Sequence, residues 1–167
     1  MKKHLLLFSA LIAGITSFAQ LDSVTNPNFD RWTSGAPDNW TTVNATQITG
    51  GSAYAGSTLL LSTTGGPTTV GTAKSTSSYR MRPVSLTYYA KYTNGGGDAP
   101  LVQVKLTKMI GSQTVTLGSG TSTVSASSYG QQTITINYLN AYHAYAPDAV
   151  EISIASSGGS PATGSML

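Results

Sequence analysis

The sequence contains no cysteine. That excludes disulfides, thiolate metal sites and a cysteine nucleophile, and leaves no cysteine to carry a lipid behind a leader. Charge is scarce as well: Asp, Glu, Lys and Arg make up 9% of the 167 residues, against about 25% in an average soluble domain. No basic run interleaves with aromatics, so the electrostatic footprint of nucleic-acid binding is missing. There is no His-Glu-x-x-His pair and no Gly-x-Ser-x-Gly elbow, which removes two common hydrolase signatures. Beyond the leader, His143 is the only histidine, and a single histidine between two strands is ordinarily just exposed. No stretch has the sustained period of a convincing helix.

What is present is glycine, serine and threonine around an alternating apolar pattern. Hydrophobic residues make up 40% of the chain, which separates it from disordered sequences of low hydrophobicity and high net charge. The sequence pI of 9.2 overstates the basicity of the folded part. Nine basic residues less Lys2 and Lys3 leaves seven, against six acidic ones.

Lys2 and Lys3, the apolar run Leu5 to Ile15 and Ser17-Phe18-Ala19 have the layout of a secretory signal peptide cut before Gln20. The run is shorter than the roughly 20 residues of a membrane span. The expectation is a leader over residues 1–19, a domain over 20–167, and a secreted or cell-surface protein.

Along that domain, Leu21 to Asp30 reads as a first edge strand limited by Pro27, which cannot donate to a ladder. Val43 to Thr49 alternates weakly. Tyr54 to Thr63 reads as a strand with Leu59 and Leu61 on one face. Gly65-Gly66-Pro67 marks a turn. Arg82 to Thr93 is the clearest strand, with Val84, Leu86, Tyr88, Ala90 and Tyr92 on one face and Ser85, Thr87, Tyr89 and Lys91 on the other. Leu101 to Ile110 repeats the pattern and turns at Gly111-Ser112 into Gln113 to Leu117. Gly118 to Ser128 reads as a polar loop or weak strand. Gln131 to Tyr138 and Val150 to Ile154 complete the set. Short strands between Gly-rich turns, each with one apolar face, predict an all-β antiparallel sandwich of jelly-roll type. Gly164-Ser165-Met166-Leu167 reads as the start of a further strand, so the domain is expected to lack its last strand.

Several short motifs recur in order: Asn26, Phe29, Asp30 and Trp32; Pro37 and Trp40; Tyr88, Tyr89, Lys91 and Tyr92 with Gly97-Asp98; and Tyr145, Pro147, Asp148 and Ile152. On these the chain resembles the secreted galactose-binding-like jelly rolls of Bacteroidetes-type bacteria, in particular the putative carbohydrate metabolism domain. The resemblance spans nearly the whole domain. It implies a jelly roll on an exported protein, often linked to glycan use, and no particular reaction. It also implies a structural calcium at Asp30, with Asn26 and nearby carbonyls contributing. Calcium takes about six to eight oxygens, and the last-strand aspartates that complete such a site in relatives are absent. An exposed carboxylate or turn cap is the alternative reading of Asp30.

Two further groups are candidates for a ligand. Trp32 and Trp40 can stack on sugar rings, although packing is the ordinary fate of such rings. Tyr89, Lys91, Gln103, Lys105 and Thr107 share outward parity on two strands expected to be neighbours, which would give a flat polar face with one aromatic; a plain solvated face is the alternative. Glycoside cleavage needs two carboxyls facing one cleft. Asp22, Asp30, Asp38, Asp98, Asp148 and Glu151 offer no evident pair, since most lie in loops or turns. The expectation is therefore a non-catalytic module that binds a polysaccharide or other glycan. A structural or adhesive domain of a larger exported protein is the alternative, and a glycan hydrolase a distant third.

Overall fold

The structure is a computed structural model, which describes residues 23–64, 69–94 and 99–159. After an irregular opening come β1 (Trp32–Thr33), β2 (Ala36–Pro37), β3 (Thr41–Val43), β4 (Ala45–Thr49), β5 (Ser57–Leu61) and β6 (Thr72–Ser78). Then follow β7 (Ser85–Ala90), β8 (Leu101–Ile110), β9 (Gln113–Thr123), β10 (Gly130–Thr135), β11 (Asn137–Tyr138) and β12 (Ala149–Ala155). Among the described residues there is no α-helix, only two single 3-10 turns, Gly50–Ser52 and Asn140–Tyr142.

One layer is a six-stranded antiparallel sheet in the order β11-β9-β8-β12-β6-β3. The facing layer consists of two separate antiparallel ladders, β4–β5 and β7–β10. Period-two spacing sends every second side chain to the same face. Val102, Val104 and Leu106 of β8, with Val150 and Ile152 of β12, therefore meet Leu59 and Leu61 of β5 and Ile134 of β10 in one core. Each such side chain contributes about 1.5–3 kcal/mol when fully buried. The chain is thus the antiparallel β-sandwich that its alternation predicts.

β6 is the strand that alternation did not reveal. Its inward residues are Ala73, Ser75 and Ser77, all buried, so no apolar stripe announces it. Small side chains are required there because the opening segment lies on top. Ser77 Oγ accepts from the Thr25 amide at 3.0 Å, and Ser75 Oγ donates to the Asn39 carbonyl at 3.0 Å. β9 also exceeds expectation, running through to Thr123. Gly118 and Gly120 make that possible: a Cβ on Gly120 would lie 2.3 Å from the Thr135 carbonyl oxygen and 2.4 Å from Ile134.

The expected first strand, Leu21 to Asp30, is not formed over residues 23–30. Asn26 (φ 47°) and Phe29 (φ 55°) adopt left-handed backbone, which interrupts any extended run. The loop is pinned instead by the buried Asn26 side chain. Its Nδ2 donates to the carbonyls of Arg31 (2.8 Å) and Asp38 (3.3 Å), and its Oδ1 accepts from the Arg31 amide (3.2 Å). The expected leader, the turn at residues 65–67, the Gly97-Asp98 pair and the strand start at 164–167 lie outside the described residues.

Candidate functional site

β7 presents Leu86, Tyr88 and Ala90 to the core and Thr87 and Tyr89 outward. β10 pairs with it so that Gln131 stands opposite Tyr89. The Tyr89 hydroxyl donates to Gln131 Oε1 at 3.1 Å. The Gly-rich hairpin between β4 and β5 folds back, with the Tyr54 amide bonded to Thr58 Oγ1 at 3.1 Å. This carries the Tyr54 ring onto Tyr89, with centroids 4.3 Å apart and planes 17° apart. Tyr129 joins them 5.5 Å from Tyr54. Lys91 Nζ lies 4.6 Å over the Tyr129 ring, a cation–π distance. Tyr54 and Tyr89 remain about half exposed, at 50% and 48%. Hydrogen bonding with Tyr89 raises the Tyr54 phenol above its ordinary pKa, with smaller contributions from burial and charge.

The result is a patch of three rings with amide and ammonium groups at its edge. Flat aromatic faces beside hydrogen-bonding side chains can stack on the apolar face of a pyranose while binding its hydroxyls. Tyr89 and Lys91 are brought together here, as their shared parity implied. Tyr54, Tyr129 and Gln131 were missed by sequence reasoning. Their only signal was an aromatic inside the Gly50–Gly56 loop and another just ahead of a strand.

Gln103 and Lys105 are not part of this patch. The expectation that β7 and β8 are neighbours in one sheet is overturned: β7 pairs with β10 and β8 with β9 and β12. The connection between β7 and β8 crosses from one layer to the other, so equal parity places their outward residues on opposite surfaces. Lys105 Nζ lies 3.9 Å from Glu151, which Lys74 approaches at 2.8 Å. That surface carries no ring on β6, β8 or β12.

The tryptophans are packing residues. Trp40 is 7% exposed, donates its indole N–H to the Thr25 carbonyl at 3.1 Å and packs against Phe29 at 4.9 Å. Trp32 is half-buried against the core, with its N–H on the Phe29 carbonyl at 2.6 Å. At the expected calcium position, the Asn26 amide is engaged at both ends within its own loop. Asp30 is exposed and its Oδ1 accepts from the Ser57 amide at 3.3 Å. No cluster of three carboxylate, histidine or cysteine groups occurs among the described residues. Asn26 thus serves the loop.

Tyr54, Tyr89 and Tyr129 also line a cleft in the facing layer. It runs between β5 and β7, with a volume of about 670 Å³. Leu59, Leu61, Leu86 and Tyr88 form its walls, and Val102, Ile152 and Ile154 of the opposite sheet form its floor. Burial raises the Tyr88 phenol pKa, partly offset by the nearby Ser122. The buried hydroxyl itself meets no partner within hydrogen-bonding geometry among the described residues.

Fold and site define the class as a β-sandwich with an exposed aromatic patch. No protein-family model matches the chain, and no curated protein matches it. Solved structures do resemble it. One is the enzymatically active domain of tailspike protein 4 of bacteriophage CBA120, with a TM-score of 0.60 and 13% identity over 87% of this chain and 20% of that one. Another is an arabinose-bound MgGH51 α-L-arabinofuranosidase, with a TM-score of 0.57 and 10% identity over 86% of this chain and 24% of that one. A third is a structure of carbohydrate-binding modules from the β-sandwich superfamily, with a TM-score of 0.51 and 18% identity over 87% of this chain and 59% of that one. The chain spans less than two thirds of each of these proteins. At such identities the likeness concerns the fold.

Proposed function

We propose that the chain is a non-catalytic carbohydrate-binding module of an exported protein, and that it takes its glycan on the patch formed by Tyr54, Tyr89 and Tyr129. The observation that carries this reading is the half-exposed Tyr54–Tyr89 pair, with Lys91 and Gln131 beside it. Exposed rings on a rigid sheet give stacking area at small entropic cost. The sandwich shared with carbohydrate-binding modules supports the same reading. Export rests on the leader-like residues 1–19. A non-catalytic role is supported by the carboxylates among the described residues: Asp148 and Glu151 are engaged by Lys108 and by Lys74 and Lys105, on the other layer.

The test is a glycan-array screen of residues 20–167, with calcium and with chelator, beside the Tyr89→Ala variant. A polysaccharide or oligosaccharide hit that Tyr89→Ala abolishes is expected. A hit untouched by that change would move the site elsewhere. Binding lost only in chelator would give calcium a role at Asp30. A blank array on a folded sample would sink the reading in favour of a structural or adhesive domain.

A further inference from the structure

Rings and cations meet at a second place, at the opposite end of β7 from Tyr89. Beyond the β7–β10 ladder the Ile136 amide donates to the Val84 carbonyl at 3.0 Å, and the Tyr138 hydroxyl donates to the Pro83 carbonyl at 2.9 Å. These bonds lay the segment before β7 beside β11. Arg82 therefore lies over the Tyr138 ring, its guanidinium carbon 4.0 Å from the centroid. Its Nη1 donates to the carbonyls of Tyr142, at 3.2 Å, and of Tyr145. Arg82 and Tyr89 are separated by roughly 20 Å of extended chain. This place is therefore distinct from the patch of Tyr54, Tyr89 and Tyr129.

These contacts explain how Arg82 holds the loop from Asn140 to Tyr145. They use the N–H groups of Nη1 and one face of the guanidinium plane. They leave Nε and Nη2, the adjacent pair that grips a carboxylate through two parallel bonds. None of the ion pairs among the described residues includes Arg82. Its surroundings are basic as well. The Tyr79 amide donates to the Asp148 carbonyl at 3.0 Å, and the charge of Arg80 acts on the Asp148 carboxylate. Lys108 bonds the same carboxylate at 3.0 Å. Arg80, Arg82 and Lys108 thus share this end with Asp148, three cations to one anion, in a domain that is otherwise close to neutral.

The loop also brings rings. Tyr142 and Tyr145 stand edge to face with centroids 6.2 Å apart, and Tyr145 is 41% exposed. A free guanidinium edge beside an exposed ring matches a pyranose that bears a carboxylate: the sugar stacks, and the carboxylate takes Nε and Nη2. Arg82 is already held by Tyr138 and two carbonyls, so little ordering remains to be done on binding.

We infer that Arg82, with Tyr145 beside it and Arg80 and Lys108 around it, forms a second binding site, for the carboxylate of a uronic acid residue in an acidic polysaccharide. The site does not rest on the tyrosine patch, and either can exist without the other.

The test is titration of residues 20–167 with an oligogalacturonate and with its methyl ester, which keeps the sugar and removes the charge. Arg82→Gln and Tyr89→Ala are titrated beside the unaltered chain. The acid is expected to bind at least tenfold more tightly than the ester. Arg82→Gln should remove that difference, and Tyr89→Ala should leave it intact. Raising NaCl from about 50 to about 500 mM should weaken binding of the acid. In the labelled unaltered chain, backbone amide resonances of residues 80–84 and 142–145 should shift on adding the acid. That arm needs no variant, and it carries the comparison should Arg82→Gln not fold. Equal affinity for acid and ester overturns the inference, as does the absence of binding at about 10 mM ligand. So do shifts confined to the surroundings of Tyr54, Tyr89 and Tyr129, with binding lost in Tyr89→Ala, which would assign the acid to the tyrosine patch. Dextran sulfate that binds at the same residues as tightly as the oligogalacturonate overturns it too, in favour of general attraction of anions.

Discussion

Tyr54, in the loop before β5, stacks on Tyr89 of β7 at 4.3 Å, so one aromatic pair spans the two ladders of the facing layer. Tyr54→Ala and Tyr89→Ala should each weaken binding of the array-selected glycan by about tenfold, the scale of one aromatic contact. The Gln103→Ala control on the opposite surface should leave affinity unchanged. Calorimetric titration of all three variants checks this.

Ser156 ties three segments together. Its Oγ bonds the Thr63 hydroxyl at 2.8 Å and accepts from the Gly71 amide at 2.9 Å, all buried. Ser156→Ala leaves a buried hydroxyl and a buried amide without this partner. It should cost about 1–3 kcal/mol, read as a lower urea midpoint with unchanged slope.

Gly120→Ala should be among the most damaging single changes. The new methyl would meet a backbone carbonyl and a core isoleucine side chain at under 2.5 Å. Backbone cannot move aside cheaply, so a loss of about 1–3 kcal/mol or more is expected from overpacking. Thermal unfolding measures it.

Trp40→Ala should cost about 3–5 kcal/mol, as for other large buried aromatics. The milder Trp40→Phe should keep glycan affinity while lowering stability, because the indole bond to Thr25 is lost. Loss of affinity in a fully folded Trp40→Phe protein would contradict a packing role.

Asp148 gives a pH signature. Its pKa lies below the ordinary value because the Met109 amide bonds the carboxylate, and Lys108 adds a second bond at 3.0 Å. A depressed folded pKa contributes stability that is present above the unfolded value, near 3.9, and is lost as pH falls through the folded one. Asp148→Asn should therefore flatten the fall in stability below about pH 4, with unfolding followed between pH 2 and 6.

How much of this was legible depended on the kind of pattern each residue belongs to. Val102, Val104, Ile134 and Ile152 advertise themselves, since strict alternation with polar neighbours has one packing solution. Ser75 and Ser77 did not, because small polar inward residues are seen only once the segment bonded to them is in place. Gln103 and Lys105 share parity with Tyr89, but parity says nothing about which sheet a strand joins.

The sequence by itself determined the class: a cysteine-free antiparallel β-sandwich with one apolar face per strand, and the pairing of Tyr89 and Lys91 on one outward face. These are local properties, fixed by period-two geometry along single strands. Only the tertiary structure decided that β7 and β8 lie in opposite layers and that Trp40 is core. It alone gathered Tyr54, Tyr89 and Tyr129. Each of those depends on which distant segments pair, and long-range pairing is settled by the whole core closing at once rather than by any one stretch of chain.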